Sequence, residues 1–471
     1  MNILFSPVGG TDPISMSNYH DGSLLHIIRN YHPEVVLLYM SDEIYCNHIL
    51  DNRYLYCIEK LNKLHGIATV TAEIEKTELG KLPELIRDRS ANSCCCFVIR
   101  DPEAENVFEY NTFIAEFSRE IADIQSVMTP EDELLLNTSS GTPAMKSALL
   151  VLATMLDYRC RLIQVTTPVK GMNEHVHKGY DVTFLWEADE DNEKTENRCR
   201  EVNFKSLTLL KYENILRDLI HNYDYQGALD VCRIIKKINP KFDERSFEMA
   251  YQRQLLNIPE ASKIASDLQL NIFPVRSGED LLLFEYAANL FIKTEKGEYA
   301  DFIRGLTPLI LPLFVRILKC QSPEHIDIRR NYTRAGCSGG NQNDNLKWEQ
   351  GALNGTELQR VFDQCYDNFR YGYVESDHIK NLIVNLCADP QLTELVESIR
   401  SVEGSIRNMA AHEMISVTPE KIQRLTGFTY QQIIGKVKAV FPYAGVNVKA
   451  GCWNTYQDMN NIILGSLANS K

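Results

Sequence analysis

Short apolar runs alternate with longer amphipathic segments along the first 186 residues of the chain. The runs consist almost wholly of β-branched and other apolar residues, which is typical of strands buried on both faces of a parallel sheet. They lie at 3–8, 35–40, 68–72, 94–99, 134–137 and 161–166. The stretches between them, such as 44–64 and 144–158, have helical spacing. This alternation predicts an α/β Rossmann-like domain, a doubly wound parallel sheet with helices on both faces.

A charged stretch at 187–200 contains almost no large apolar residues, and it ends this pattern. Beyond it the apolar positions follow helical spacing to the C-terminus, and a loop rich in Gly and Asn lies at 331–345. Charged and glycine-rich stretches of this kind are typical of linkers and loops. We therefore expect an α/β domain over 1–186, a linker and helical connecting region over 187–290, and a terminal helical bundle over 291–471.

Composition and charge argue against several classes of protein. The 471-residue chain has a formal net charge of -14, which argues against a general nucleic-acid coating protein but allows an enzyme that grips RNA in one local cleft. The 13 cysteines form no CxxC pair, so we predict neither a zinc site nor a disulfide framework. The N-terminus has the character of a first strand, and the apolar stretch 306–318 is too short to span a bilayer. A cytoplasmic protein without a membrane partner is expected.

Two glycine- and hydroxyl-rich loops follow the first and fifth predicted strands. Ligands of α/β sheets bind where such loops leave the carboxyl ends of the strands, and a helix N-terminus favours anions. The candidate ligand-binding residues are Gly9, Gly10, Thr11 and Asp12 in the first loop, Thr138, Ser139, Ser140, Gly141 and Thr142 in the second, and Lys146 one turn into the next helix. Each loop alone is explained better by the tight turn and helix cap that most βα units need, and it is the pairing of the two loops that favours a ligand site. Neither GxGxxG nor GxxxxGK[ST] is present, so a phosphate-bearing ligand without a catalytic metal fits better than a dinucleotide cofactor or a P-loop.

A second candidate site lies near the C-terminus, where four residues separate Arg407 from His412 in a segment with helical spacing from about residue 394. Imidazole exchanges protons near neutral pH, and guanidinium binds phosphate oxygens, so the pair suits metal-free RNA cleavage. Five residues along a helix place the two side chains about 140° apart, whereas Asn408 shares a face with His412. Two copies of the helix across a twofold axis would bring both side chains to one site. The spacing alone also fits a surface arginine and a helix-end histidine.

These features together resemble the CARF–HEPN ribonucleases of type III CRISPR systems, the Csm-type effectors that act separately from the interference complex. The resemblance covers nearly the whole chain. The loops at 6–12 and 137–145 look like the ligand-binding stretches of a CARF domain, and 297–309 looks like the entry to a HEPN domain. The segment 407–412 matches the HEPN Arg-x4-6-His motif at its shortest spacing, with Asn408 as the polar residue that commonly follows the arginine.

The resemblance implies a homodimer in which paired CARF domains bind one cyclic oligoadenylate as activator. Two HEPN domains would form one cleft holding both copies of Arg407, Asn408 and His412. Single-stranded RNA would be cut there non-specifically, without a metal or other cofactor, leaving a 2′,3′-cyclic phosphate or 3′-phosphate and a 5′-hydroxyl. Likeness to streptococcal and enterococcal members favours cyclic hexaadenylate over tetraadenylate. No stable association with the CRISPR interference complex is expected.

The sequence allows three other hypotheses about function. One is a CARF-type cyclic nucleotide sensor without nuclease activity, acting as a regulator or through a partner. A DNA-binding version of it should carry a basic recognition helix, and the sequence shows none. The second is a CARF-linked DNase, which would need a cluster of metal-binding carboxylates. The third is a helical interaction protein joined to a ligand-binding sheet.

Overall fold

A computed structural model of the protein describes residues 1–75, 80–88, 93–101, 109–156, 159–168, 179–194, 196–202, 205–276, 278–322, 332–334, 346–412 and 416–468. The chain divides into two compact units, Met1–Lys211 and Tyr212–Lys471. No helix in the described part is long and apolar enough to cross a membrane.

The first unit contains a seven-stranded sheet whose six leading strands are parallel. Its strands are β1 Asn2–Pro7, β2 Val35–Ser41, β3 Ala68–Glu75, β4 Ser93–Asp101, β5 Glu133–Asn137, β6 Arg161–Val165 and β7 Cys199–Val202. The spatial order is β3-β4-β2-β1-β5-β6-β7. Strand β1 therefore lies between β2 and β5, where the order of strands reverses, and such a switch point opens a crevice at the carboxyl ends of the strands.

Helices cover both faces of this sheet. They are α1 Ser23–Tyr31, α2 Asp42–Asp51, α3 Arg53–Leu64, α4 Leu82–Arg87, α5 Tyr110–Val127, α6 Pro143–Met155 and α7 Val182–Ala188. Alternate residues of β1 enter two separate cores: Ile3 and Phe5 pack with α5 and α6, and Leu4 packs with α1 and α3. Burial on both faces explains why the inner strands have nearly continuous apolar sequences, whereas the edge strands β3 and β7 are mostly exposed.

Two local features differ from the predicted pattern. The segment predicted as one helix over 44–64 is broken at Asn52, whose φ of 52° is left-handed and separates α2 from α3. Asparagine tolerates this conformation better than most residues. Strand β7, which lies in the charged stretch 187–200 and beyond, pairs antiparallel with β6. It extends the sheet past residue 186.

The described residues of the second unit are helical, as predicted, apart from one short ribbon that the sequence pattern did not predict. Its elements are α8 Lys205–His221, which begins in the first unit, α9 Tyr225–Ile238, α10 Arg245–Gln254, α11 Ile258–Asp267, α12 Gly278–Glu295, α13 Tyr299–Gln321, β8 Tyr332–Arg334, β9 Leu346–Trp348, α14 Gln350–Leu353, α15 Glu357–Cys365, α16 Ser376–Leu386, α17 Pro390–His412, α18 Pro419–Thr426, α19 Tyr430–Val440 and α20 Thr455–Ala468. Helix α13 packs against α12, α16 and α17 and forms the centre of the bundle. The prediction of a parallel sheet with helices followed by an all-α region is confirmed.

A buried ion pair joins α10 to α12, and a hydrogen bond from the same arginine reaches α20. The Arg253 guanidinium and the Glu285 carboxylate are fully buried and bond at 2.8 Å through both nitrogen–oxygen pairs. Arg253 also donates to the Thr455 hydroxyl at 2.9 Å. Removing one partner of such a pair leaves an uncompensated buried charge, which costs about 3–5 kcal/mol. Helices α10, α12 and α20 therefore depend on one another.

Candidate functional site

The loops that follow β1 and β5 meet at the switch point of the sheet. A Cβ atom added to Gly9 would lie 3.0 Å from the backbone nitrogen of Gly141 and 3.0 Å from the Ser140 hydroxyl. Gly141 has a φ of +84°, and a Cβ there would lie 2.7 Å from Pro7. Glycine is needed at position 9 because the backbone of Gly141 lies against it, and at position 141 because of the left-handed φ and the contact with the Pro7 side chain. The two sequence-predicted loops thus form one surface.

The buried Asp12 carboxylate links the two loops that form this surface. Its side chain is 1% exposed, accepts a hydrogen bond from Ser140 and accepts another from the backbone nitrogen of Leu24 at 3.0 Å. Burial raises the pKa of the Asp12 carboxyl, while the bond from Ser140 opposes that rise. The carboxylate connects the first loop, the second loop and the start of α1, and it points into the protein.

Several loop hydroxyls are engaged with the neighbouring strand. The Thr138 hydroxyl donates to the carbonyl of Ile163 at 3.0 Å, and the Ser139 hydroxyl accepts from the nitrogen of Val165 at 2.8 Å. Thr142 caps α6, since its hydroxyl accepts from the nitrogen of Met145 at 3.3 Å. These contacts fix the loop against β6 and the helix.

Other groups of the two loops remain available to a ligand. Among the described residues, the Thr11 hydroxyl and the backbone nitrogens of Gly10, Thr11, Ser140 and Gly141 have no hydrogen-bond partner. The half-buried Lys146 has no ion pair within 4.0 Å in the described part of the chain. Burial lowers the pKa of its ammonium, and the charge of Asp12 opposes that shift. Backbone N–H groups and an ammonium at a helix N-terminus make a site for anions.

Sequence reasoning missed a side chain that supports both loops. Asn137 is fully buried at the end of β5 and donates to the hydroxyls of Ser6 at 2.9 Å and Ser23 at 3.1 Å. Its amide oxygen accepts from the nitrogen of Ser139. The sequence did contain a signal for it, since Asn137 is an amide at the end of an otherwise apolar strand. A buried polar side chain is normally hydrogen-bonded, so an amide in this position indicates a structural role.

A buried charged cluster, also missed, lies beside α1. Asp21, His26 and Asp191 bring potential metal-ligand atoms within 4.8 Å of one another. Arg29 bonds Asp21 at 2.6 Å, and Arg198 bonds Asp191 at 2.8 Å. The two guanidiniums thus supply the positive charge that a metal ion would bring.

Helix α17 carries the second predicted site. Arg407, Asn408 and His412 all lie in its last turns, with His412 as its final residue. Their side chains lie outside the described part of the structure. The helical backbone retains the spacing that predicts about 140° between Arg407 and His412.

A polar network ties the first half of α17 to α16. The buried Glu403 carboxylate accepts from the Ser376 hydroxyl at 2.5 Å, and Arg400 lies 3.6 Å from Asp377. Asp377 in turn accepts from the hydroxyl of Tyr366 at 2.8 Å. Because these bonds fix the rotation of α17 about its axis, they also fix the direction of the turn that bears the Arg–His motif.

Comparison with known families assigns both units. The Cas_Csm6 CARF domain matches residues 96–199, and the Cas_Csm6 HEPN domain matches residues 272–464. The chain belongs to the Csm6 family of CARF–HEPN endoribonucleases. The predicted family and the predicted class of enzyme, one that cleaves RNA, are confirmed. The HEPN match includes 407–412, and the CARF match includes the loop after β5.

Curated relatives extend the Csm6 likeness over most of the chain. The CRISPR system endoribonuclease Csm6 of Mycobacterium tuberculosis is 25% identical over 449 residues, covering 92% of each chain. The Csm6 of Streptococcus thermophilus is 32% identical over 316 residues, covering 64% of this chain and 63% of the relative. A solved structure, Enterococcus italicus Csm6 bound to cyclic hexa-2′-fluoro-hexa-dAMP, covers 99% of both chains with a TM-score of 0.63 and 18% identity. At that identity the structural likeness concerns the fold.

Proposed function

We propose that cyclic oligoadenylate binds at the loops after β1 and β5 and switches on an endoribonuclease centred on Arg407, Asn408 and His412, in type III CRISPR antiviral defence. The observation that carries the proposal is the convergence of two glycine loops, with free N–H groups and Lys146, in a chain of the Csm6 family. Such a surface suits the phosphates of the ring. The family is one of endoribonucleases, which disfavours a sensor without nuclease activity.

In this proposal RNA cleavage needs no metal. His412 exchanges the protons of the 2′-hydroxyl and the leaving 5′-oxygen, and Arg407 stabilises the charge on the phosphorane-like transition state. Asn408, on the same helix face as His412, contacts the reacting phosphate. The substrate is single-stranded RNA, cut without sequence preference.

The proposed assembly is a homodimer. Because Arg407 and His412 point about 140° apart on one helix, a twofold pair of α17 helices would bring both side chains to a shared cleft. The division into a sensing domain over 1–186, a connecting region over 187–290 and a nuclease domain over 291–471 stays a prediction. So do a cytoplasmic location and the absence of stable association with the interference complex.

We propose cyclic hexaadenylate, in preference to tetraadenylate, as the activator. The support comes from likeness to streptococcal and enterococcal relatives, one of which was solved with a cyclic hexa-adenylate analogue. The loops after β1 and β5 supply backbone donors for phosphates, and these donors suit rings of either size.

One assay tests the whole proposal. Purified protein is mixed with a fluorogenic RNA and EDTA, with no activator, cyclic tetraadenylate or cyclic hexaadenylate. We expect cleavage only with a cyclic oligoadenylate, and at the lowest concentration with the hexaadenylate. Cleavage that EDTA abolishes would reject the metal-free mechanism, and cleavage unaffected by either ring would reject the switch.

A further inference from the structure

A pocket of about 640 Å³ opens in the helical unit, and five of the fourteen residues that line it are aromatic. Helices α12, α19 and α20 form its walls together with the turn at 450–454. The aromatic residues are Tyr223, Phe291, Tyr430, Trp453 and Tyr456. Its volume is in the range of small-molecule sites, about 300–1,000 Å³.

The rings of this pocket are held in place by further aromatic contacts. The Trp453 ring lies 4.9 Å from Phe284 and 5.0 Å from Phe441, measured between ring centroids. Tyr430 packs at 5.3 Å against Tyr299. Aromatic rings that line a pocket and are held by neighbouring rings favour a flat ligand, because a planar base stacks on them at little cost in entropy.

A lysine adds positive charge to the same wall. The Lys438 ammonium lies 5.4 Å from the centroid of Phe291 and 5.3 Å from that of Trp453. Its side chain is half-buried and has no ion pair within 4.0 Å among the described residues. Burial lowers the pKa of the Lys438 ammonium, and the charge of the nearby Glu295 opposes that shift. A partly desolvated ammonium attracts an anion more strongly than an exposed one does.

Polar groups line the rest of the pocket. The exposed Glu295 carboxylate and the side-chain amides of Gln431, Asn454 and Gln457 lie around it. A carboxylate accepts hydrogen bonds from the exocyclic amines of adenine, cytosine and guanine, which uracil lacks. The aromatic rings, the Lys438 ammonium and the hydrogen-bond acceptors of the pocket together suit the base and phosphate of one nucleotide.

This pocket is separate from the catalytic helix. Tyr430, Ile434 and Lys438 are spaced four residues apart and form one stripe of α19. Lys436 lies on the opposite face of α19, where it bonds Ser398 of α17 at 3.2 Å. The pocket therefore opens on the side of α19 away from α17.

We propose that this pocket is a second RNA-binding subsite, which takes one unpaired nucleotide of the substrate at a distance from the cleavage point. The base stacks on Tyr430 and Trp453, and Lys438 binds the adjoining phosphate. Glu295 selects bases that carry an amino group. The inference rests on the proposed function, since single-stranded RNA is its ligand.

The test measures binding and cleavage on the full chain. In a His412→Ala background, anisotropy gives the Kd for a ten-nucleotide 2′-O-methyl RNA. Tyr430→Leu and Lys438→Gln should each weaken binding about ten-fold. Tyr430→Phe, which keeps the ring, and Lys237→Gln, which removes a lysine from an exposed position of α9, should leave the Kd unchanged. In the active chain, Tyr430→Leu and Lys438→Gln should raise KM for the ten-nucleotide RNA but leave kcat and dinucleotide cleavage unchanged.

Base preference gives a second readout. An oligoadenylate should bind more tightly than an oligouridylate, and Glu295→Gln should narrow that difference. Unchanged Kd and KM in folded Tyr430→Leu and Lys438→Gln proteins would overturn the subsite. If the parent chain cuts no RNA but the Kd still depends on Tyr430 and Lys438, the proposed function fails and the pocket stands.

Discussion

The ammonium of Lys146, one turn into α6, has no ion pair within 4.0 Å among the described residues, and the charge of the buried Asp12 carboxylate acts on it. Burial makes its charge more effective than that of an exposed lysine, since water screens it less. We therefore expect Lys146→Gln to raise the activator concentration for half-maximal RNase activity about ten-fold, or about 1.4 kcal/mol. The maximal rate should stay the same. Dose–response curves with cyclic hexaadenylate measure both quantities.

Lys60→Gln serves as the matched control for Lys146, because Lys60 is an exposed lysine of α3 in the same unit. An equal shift in both variants would indicate a general effect of net charge. No shift in Lys146→Gln would show that the lysine does not contact the activator.

At the catalytic motif, we expect His412→Ala to lower the rate of RNA cleavage about 10²- to 10⁴-fold, the usual cost of losing a general acid or base. Activator binding, measured by isothermal titration, should be unchanged, because the loops after β1 and β5 are intact. His221→Ala, at the exposed C-terminal end of α8, is the control. If the His412→Ala protein cleaves RNA at the rate of the parent, His412 is not a catalytic residue.

The sequence predicts which loops bind the ligand, but it does not predict which atoms of those loops are free of hydrogen bonds. Thr138, Ser139 and Ser140 all looked suited to phosphate, yet their hydroxyls bond β6 and Asp12. Asp12 looked like a ligand-facing acid and is buried. A hydroxyl in a glycine loop has the same sequence signature whether it bonds a neighbouring strand or a ligand, so only the fold distinguishes the two.

A buried charged cluster lies between α1 and the segment leading into β7. In it the carboxylates of Asp21, Asp189 and Asp191 form ion pairs with the guanidiniums of Arg29 and Arg198. Burial, with the nearby Asp21 carboxylate, raises the pKa of Asp189 to about 8. An unfolded aspartate titrates near 3.8. Between these values the folded state holds a proton that the unfolded state lacks, so this residue's contribution to stability falls as pH rises.

We expect Asp189→Asn, which keeps the uncharged form, to gain stability relative to the parent as pH rises from 5 to 8. The gain is at most about 1.4 kcal/mol per pH unit, and less because Asp21 and Asp189 titrate together. Urea unfolding at pH 5 and pH 8 measures the difference. Asp88→Asn, at an exposed carboxylate, should show no such trend. The same trend in both variants, or in neither, would contradict a protonated Asp189.

The existence and type of each helix or strand were easier to predict than the residues at which it ends or is interrupted. Five of the six parallel strands were predicted within about two residues at each end, because strands buried on both faces have continuous apolar sequences. The prediction for β3 ended three residues early, at 72 instead of 75, since this edge strand is mostly exposed. Strand β7 was missed since Arg200 and Glu201 are exposed, and an edge strand needs few apolar residues. The break at Asn52 was missed because helical spacing continues across it.

At the scale of the assembly, a shared cleft predicts that two inactive chains complement each other. We expect Arg407→Ala and His412→Ala chains, purified separately and mixed under conditions that allow exchange, to recover activity above that of either alone. Native mass measurement should show a dimer for the parent. A fully active monomer would contradict the composite site, whatever the mixing result.

Helix α20 limits which segments of this chain can be replaced by those of a relative. Besides its bond to Arg253, it reaches α9 through Tyr225 and Asn460, whose side chains bond at 2.8 Å. Asn460 also donates to the carbonyl of Ile220 on α8 at 2.8 Å. A chimera that joined its own α8–α10 to the nuclease end of another relative would bring together mismatched halves of these buried bonds. Recombination that preserves function should therefore move Tyr212–Lys471 as one inherited block.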